Sequence, residues 1–489
     1  MKTDVAVPPD VSRPRWMRRA EAILIGAALL PALTQLWLMI CTLPSIPWSA
    51  YRITPAAALV RGLPIYYVRE SGVQLGWFYG PVFPLWYLPV AWVENPTAML
   101  VLAAVWNILT FGVPIYLCLR AGLDGDVRLA RRVLLISVPL LLAHPAVQSG
   151  IHCLHVDAVA LALGFAGCLA LHARAVRGWQ PGLPLAALAV VLSCFTKQLA
   201  VVLVPATCVW LWREGHRALL SRWIFWLAAC GGGVALGFMM FFGAEELLFN
   251  LWLVHARTPF EDGWQHVLGV RLWQLFEWNW VWLLALALGA WWLRPTSRDD
   301  APALVTPLIR LLAWCAVWHL PLGIIAAMKL GGGVNSIYSM NYAMVAGLIL
   351  LGRLWRAREA GRVGAGLGLA WLAVVLALAT IAGGARLLAR KPESTLYRGQ
   401  EELVAMARAN IGRIYLPWNP LTTVITERRV YPFDDALVCL DRARLLPPAD
   451  AVRAAVPKGA VLFYHDPSQS YFALRYFKPD AVAQPPGRP

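Results

Sequence analysis

Long apolar runs alternate with short polar stretches over most of this chain, and the pattern predicts a bundle of membrane-spanning helices. A helix needs about 20 residues to cross the hydrocarbon core, and we expect about 11 spans within residues 21–388. They are 22–43, 99–120, 133–146, 158–175, the two halves of 183–212, 223–242, 280–293, 311–328, 339–351 and 367–388. The fold class is therefore all-α and polytopic.

Two apolar stretches depart from the simple pattern. Residues 82–93 are short and contain Pro84 and Pro89, which would break backbone hydrogen bonds with no water to replace them. We therefore expect a juxtamembrane or re-entrant helix there. Residues 183–212 carry Lys197 at their centre. A single span would place this ammonium near the middle of the bilayer at considerable cost, whereas two short helices meeting at 194–198 bring it to the surface.

Basic residues in the loops decide between these alternatives and orient the chain. With two helices, the predicted cytoplasmic loops carry ten Lys and Arg residues, against three in the outer loops. The cytoplasmic loops are 213–222, 294–310 and 353–362, and the outer ones are 243–278 and 329–336. One helix would reverse the assignment and violate the positive-inside rule, so the pair is favoured. The segment 1–20, rich in arginine, is then cytoplasmic, and residues 44–98 form the first outer loop.

Composition supports this assignment. Hydrophobic residues make up 59% of the 489 positions and charged residues 14%, well below the roughly 25% charged residues of soluble domains. The net charge of +16 lies mostly in short loops, as topology signals do, and does not indicate nucleic-acid binding. The nine scattered cysteines form no CxxC pair, so neither a zinc site nor a disulfide framework is predicted.

The character of the chain changes at about residue 389. Polar and apolar residues alternate from there on, with charges of both signs. Residues 401–409 have a helical pattern, 413–416 and 460–464 have the pattern of strands, and the tail is predicted to be disordered. We therefore expect a small extracytoplasmic α/β extension over residues 389–489.

The predicted topology collects unusual polar residues at the outer mouth of the bundle, where charged groups mark functional sites. Asp157 opens an inward span and could act as a general base, bind a metal or receive a sugar hydroxyl; it could equally be a helix N-cap. His152, Cys153 and His155 add donors that suit a metal. Because their spacing matches no standard ligand set, no cofactor is predicted, and His152 and His155 are only weak candidates for binding a divalent metal.

Two lysines share the outer face of the predicted bundle. Lys197 and Lys329 lie at helix ends, on the side that positive charge usually avoids. Lys329 precedes a run of glycines whose backbone N–H groups could cradle an anion. Two cations that converge at the membrane surface suit a phosphate or pyrophosphate headgroup, although lysines also snorkel at span ends. We favour the phosphate.

The order of several motifs resembles the GT-C superfamily of membrane glycosyltransferases, which use polyprenyl-phosphate sugars. The first outer loop contains RGLPIYYVRE and FYGPVFPLWYLP. An inward span opens with HVDAVALAL, a hairpin carries CFTKQLAVVLVP, and KLGGGVNSIYSMNYAM precedes a late span. The resemblance covers roughly residues 15–390.

The resemblance implies a lipid-linked donor and an inverting transfer to a hydroxyl that a carboxylate deprotonates. The family usually has an acidic residue just after the first span, but residues 47–51 contain none. The base would then be Asp157 or Glu70, although Glu70 could instead pair with Arg69 or Arg61. The residues expected to bind substrate are Arg52, Arg61, Tyr79, Lys197, Gln198, Lys329, Asn335 and Tyr338.

Two functions follow from these patterns. The first is a mannosyltransferase-like enzyme that transfers a sugar from a polyprenyl phosphate to a lipid, glycan or protein at the outer face of a bacterial inner membrane, with its C-terminus in the periplasm. The second is a non-catalytic binder or transporter of lipid-linked saccharides on the same scaffold. A transporter would carry polar groups through the bundle to both faces, whereas here they lie mainly at the outer mouth. The transferase is therefore favoured.

Overall fold

The computed structural model describes residues 15–43, 47–143, 145–292, 304–359, 399–463, 472–476 and 482–483. The described chain is mostly helical. The first sixteen helices are α1 Arg15–Thr42, α2 Pro47–Val60, α3 Val82–Trp86, α4 Leu88–Ala91, α5 Pro96–Gly122, α6 Val127–Ala143, α7 Pro145–His152, α8 Asp157–Arg177, α9 Gly182–Cys194, α10 Leu203–Arg213, α11 Arg217–Phe242, α12 Ala244–Leu248, α13 Val254–Arg257, α14 Trp264–Trp292, α15 Pro307–Met328 and α16 Ser339–Glu359. Short 3-10 turns lie at Arg69–Ser71, Gln198–Val202 and Val334–Ser336, and a π-helical segment lies at Phe249–Leu253.

Five described helices are long and apolar enough to cross a membrane. They are Arg18–Thr42 within α1, and α5, α8, α11 and α15. The segments Gly182–Cys194 and Gln198–Arg213 are shorter apolar helices. The predicted helical, membrane-spanning character is therefore confirmed, whereas the count of 11 spans stays a prediction. Its last member, 367–388, lies outside the described residues.

Some helices extend well beyond the predicted spans. Helix α14 begins at Trp264 rather than at residue 280 and has 29 residues. At 1.5 Å per residue this is about 43 Å, longer than the roughly 30 Å hydrocarbon core. Helix α16 likewise continues to Glu359, past residue 351. Apolar patterning marks only the part of a helix that is buried in lipid or protein, so it underestimates the length of helices that continue beyond it.

Both irregular stretches are broken where the sequence predicts. The segment with Pro84 and Pro89 forms two single-turn helices, α3 and α4, which meet at Tyr87. Helix α9 ends at Cys194, and Lys197 has extended backbone angles before the next 3-10 turn. The long apolar run is therefore two helices, and its lysine lies at the turn between them.

The C-terminal extension is a small α/β unit. Its helices are α17 Gln400–Ala409, α18 Pro420–Glu427, α19 Asp434–Arg442 and α20 Ala449–Ala454. Its strands are β1 Ile414–Tyr415, β2 Val461–Phe463 and β3 Val482–Ala483, which form a parallel sheet in that order. The predicted helix and both predicted strands are confirmed to within a residue or two at their ends. The predicted disordered tail lies outside the described residues.

The extension packs directly on the first loop of the membrane region. The ring of Phe433 stacks on Tyr51 with centroids 4.4 Å apart, and the Phe433 N–H donates to Gln74 O at 2.8 Å. Arg69 Nε donates to Leu446 O at 2.6 Å. Apolar residues of both segments belong to one buried cluster. The loop and the extension therefore form a single packed unit at one end of the bundle.

Candidate functional site

A buried carboxylate organises this end of the bundle. Asp157, the first residue of α8, is fully buried. Its Oδ1 accepts hydrogen bonds from Lys197 Nζ and Tyr338 Oη, each at 2.6 Å. Its Oδ2 accepts one from Asn335 Nδ2 at 2.6 Å and lies 2.8 Å from His155 Nδ1. Three segments far apart in sequence thus meet at one side chain.

These contacts define the role of Asp157. The N-cap residue of α8 is Val156, and Asp157 is the first residue of the helix, so the N-cap alternative does not describe it. A carboxylate has about four lone-pair directions, and here both oxygens are engaged. Asp157 therefore binds the α9–α10 turn and the segment before α16 together, and both of its oxygens are engaged by neighbouring side chains.

The FYGP motif of the first loop lies at the centre of the site. The Gly80 N–H donates to Thr196 O at 3.1 Å. The carbonyl of Phe78 accepts hydrogen bonds from Gln198 Nε2 at 3.1 Å and from the His255 ring at 2.7 Å. The backbone polar groups of the motif are therefore satisfied by the α9–α10 turn and by α13, which hold the loop against the bundle.

Arg52 packs against Tyr79 of this motif. Its guanidinium carbon lies 5.7, 5.0 and 4.9 Å from the ring centroids of Trp48, Tyr51 and Tyr79. The side chain is buried, with the residue only 8% exposed. Its Nε and Nη1 have no hydrogen-bond partner among the described residues. The ring of Tyr79 in turn contacts the His155 ring, with centroids 5.9 Å apart, so Arg52 is connected to the Asp157 cluster.

Lys329 lies on the other side of His255. Its Nζ donates to His255 O at 2.6 Å, and partial burial lowers the pKa of its ammonium. Burial also lowers the pKa of His255, and the positive charges of Lys329 and Lys197 add to that effect. The charges of both lysines therefore act on one histidine. Gly331, which follows, has φ of +82°, a conformation that glycine adopts without strain.

The structure brings most of the predicted site residues together. The converging residues are Arg52, Tyr79, His155, Asp157, Lys197, Gln198, Lys329, Asn335 and Tyr338. Glu70 is instead exposed on the Arg69–Ser71 turn. Arg61, directly after α2, donates to Ala57 O of that helix at 3.0 Å. His152 Nε2 lies 3.4 Å from Thr42 Oγ1.

Two further observations concern metal binding and a histidine that the sequence does not mark as functional. No group of three or more His, Cys, Asp or Glu side chains is arranged to bind a metal within the described part of the chain. The sequence does not mark His255 as a site residue, although its backbone oxygen accepts a hydrogen bond from Lys329 and the charges of both lysines act on its ring. The only signal for it was a titratable residue in a predicted outer loop, which is common to many surface histidines.

The buried cluster should make stability depend on pH. Burial lowers the pKa of His155 to about 4 from its ordinary value of 6.5, so the unfolded chain binds this proton more readily than the folded one. The stability contributed by the neutral ring is complete above pH 6.5 and is lost as the pH falls towards 4. We expect the free energy of unfolding to fall by up to about 3 kcal/mol. Thermal melts of the purified protein across this pH range measure the change.

Two histidine variants isolate this contribution. His155→Gln removes the titrating ring and should flatten the pH profile between pH 6.5 and 4. His266→Gln, at an exposed histidine, should leave the slope as in the wild type. An undiminished slope in His155→Gln would assign the acid sensitivity to other groups.

Comparisons with known proteins add no family to this geometry. No protein-family model, no curated protein and no solved structure matches this chain. The resemblance to the GT-C superfamily therefore stays a prediction from the order of motifs.

Proposed function

We propose that this protein is a membrane glycosyltransferase that transfers a sugar from a polyprenyl-phosphate donor to a hydroxyl acceptor. The observation that carries the proposal is Arg52, whose Nε and Nη1 are buried without a hydrogen-bond partner among the described residues. A buried cation that lacks a hydrogen-bonded anion is costly. The site therefore favours an anionic ligand, and a phosphate matches the planar fork of a guanidinium.

The surroundings of Arg52 support a lipid-linked sugar rather than a free anion. Three aromatic rings flank the guanidinium, and aromatic faces combine an apolar surface with a polar rim. The site lies at the ends of helices that are apolar enough to contact lipid. Lys329 provides a second cation, with a glycine turn next to it. These groups suit a phosphate that remains attached to an apolar chain.

The reaction requires little covalent chemistry from the protein. When the bond between the anomeric carbon and the phosphate oxygen breaks, negative charge grows on the phosphate. Arg52 and Lys329 are fixed positive charges that would stabilise this charge without rearranging. The Asp157–Lys197 contacts hold the FYGP wall in place during the step. The proposed mechanism requires that Arg52 and Lys329 keep fixed positions around the phosphate.

Replacing Arg52 tests the proposal. In membranes supplied with radiolabelled polyprenyl-phosphate hexoses, the Arg52→Gln variant should transfer sugar about 10²–10³-fold more slowly than the wild type, the loss typical of one electrostatic donor. Arg128→Gln, at an exposed arginine in the first turn of α6, should retain the wild-type rate. A wild-type rate in Arg52→Gln would contradict the role of this residue.

The same experiment separates the enzyme from its alternative. A saccharide binder or transporter on this scaffold would retain labelled donor without consuming it, and Arg52→Gln would weaken retention alone. The fully engaged carboxylate of Asp157 is the observation that favours this alternative, because a binder needs no free base. Wild-type protein that binds donor but forms no glycoside with any hydroxyl acceptor would establish the binder.

A further inference from the structure

The extension contributes one more wall to the site, helix α19. Phe433, directly before this helix, stacks on Tyr51, the neighbour of Arg52. A Cβ atom on Gly76 would lie 2.6 Å from the Cβ of Ala436, so the loop backbone and α19 are in close contact. These contacts fix the start of α19 against the loop that carries the arginine.

One face of α19 is polar and extends across the site. Asp435, Cys439 and Arg442 are spaced four and three residues apart, which places them on the same side of a helix. The positive charge of Arg52 acts on both Asp435 and Cys439. At the other end, Arg442 Nη1 lies 3.2 Å from where a Cβ atom on Gly331 would be. The polar face thus reaches from Arg52 to the glycine turn after Lys329.

Asp435 has a different environment from its neighbour Asp434. The Oδ1 atom of Asp434 accepts a hydrogen bond from the Ala473 N–H at 2.8 Å, within the extension. No hydrogen bond or ion pair joins Asp435 to any residue that the structure describes. The charges of Arg52 and Arg442 act on it, but neither side chain forms an ion pair with it. This carboxylate is therefore not bound to either cation.

The other carboxylates predicted for the site are less suited to receive a proton. Both oxygens of Asp157 are engaged by neighbouring side chains, and Glu70 is exposed on the outer side of the loop. Asp435 is partly buried, faces Arg52 and is free of hydrogen bonds among the described residues. A general base must be able to approach the hydroxyl it activates, and Asp435 meets that requirement.

We propose that Asp435 is the catalytic base, a role that rests on the proposed transferase function. Its carboxylate takes the proton of the acceptor hydroxyl while that oxygen forms a bond to the anomeric carbon. The bond from the anomeric carbon to the phosphate oxygen breaks, and its electron pair leaves with the polyprenyl phosphate. Arg52 binds the departing phosphate. The extension thus supplies the carboxylate that the first loop lacks at residues 47–51.

The electrostatics of the position fit this role. Burial raises the pKa of Asp435 above that of an ordinary aspartate, and the charges of Arg52 and Arg442 oppose the rise. Tyr51, Asp434 and Cys439 are the other titratable groups that act on it or lie within its field. A base with a raised pKa accepts a proton more readily near neutral pH. Activity should accordingly fall on acidification, as Asp435 becomes protonated.

Isosteric variants of two adjacent aspartates test the proposal. With full-length protein in liposomes and a labelled polyprenyl-phosphate hexose, Asp435→Asn should lower kcat at least about 10²-fold and leave the donor KM within about 3-fold. It should also remove the acidic limb of the pH profile. Asp434→Asn is the matched control, because its amide oxygen can still accept the Ala473 hydrogen bond. This variant should keep the wild-type kcat and pH profile.

Chemical rescue distinguishes catalysis from a structural role. Asp435→Ala should be inactive in plain buffer and should regain transfer when formate supplies a small carboxylate. A wild-type kcat in Asp435→Asn would overturn the assignment of the base while leaving the transferase intact. Loss of donor binding in Asp435→Asn, with no formate rescue of Asp435→Ala, would assign a structural role to the residue. Wild-type protein that binds donor without transferring sugar would overturn the proposed function itself.

Discussion

Asp157→Asn is expected to lower the free energy of unfolding by about 3–5 kcal/mol, the cost of leaving one partner of a buried ion pair alone. The Lys197 side chain is only 10% exposed, so its ammonium cannot recover hydration when the carboxylate is lost. Tyr338 and Asn335 would lose a charged acceptor at the same time. Detergent or thermal unfolding of the purified protein, followed by helical circular dichroism, measures the change.

A double-mutant cycle assigns the loss to the pair. Lys197→Met combined with Asp157→Asn removes both charges, so the double variant should be more stable than the sum of the two single losses predicts. Asp450→Asn provides the control, since the Asp450–Arg453 pair is exposed, with side chains 95% and 50% accessible. Asp450→Asn should change the free energy of unfolding by no more than about 1 kcal/mol. Additive losses in the cycle would show that the two residues do not stabilise each other.

Gly80→Ala is expected to have the second largest effect. A Cβ atom on Gly80 would lie 1.6 Å from the carbonyl oxygen of Phe195. Because the clash is with backbone atoms, no side chain can rotate away to relieve it. The FYGP motif would have to leave the α9–α10 turn. We expect the free energy of unfolding to fall by about 3 kcal/mol, the upper end of the usual cost of overpacking. Sugar transfer should fall by about 10²-fold, since displacements of about 1 Å have this effect on aligned groups.

Gly112→Ala is the matched control for this substitution. Gly112 lies within α5, and a Cβ atom there would have no neighbour within 4 Å. Because alanine favours helix over glycine, this variant should be as stable as the wild type or slightly more so. A Gly80→Ala protein with wild-type stability and activity would show that the close contact between the motif and the turn does not position the site.

Local features of the fold could be predicted because their causes are local. Lys197 breaks its apolar run, since an ammonium is excluded from the bilayer centre, and Pro84 and Pro89 limit their segment to single turns. Asp157 was a candidate because a charged group at the predicted outer mouth of a membrane bundle marks a functional site. These inferences need only the chemistry of one residue and the length of the segment around it.

The contacts that build the site could not be predicted in the same way. Asn335 and Tyr338 lie 178 and 181 positions from Asp157, and one sequence contains no signal that pairs them. The docking of α19 was missed for a related reason. A nine-residue amphipathic helix in a polar extension is typical of any small domain, and only its contacts in the structure, such as the stacking of Phe433 on Tyr51, show which surface it covers.

The union of the first loop with the extension has a consequence for biosynthesis. Arg69 and its acceptor at Leu446 are separated by 377 positions, so at 5–20 residues per second the ribosome needs roughly 20–75 s to make the second after the first. During that interval the part of the loop that packs on the extension is uncovered, and prolonged exposure of an apolar surface favours misassembly. A chain that ends before Phe433 would contain every membrane-spanning helix described here but neither the cover of Tyr51 nor Asp435. The protein in the membrane therefore becomes functional only after its extension has been synthesised.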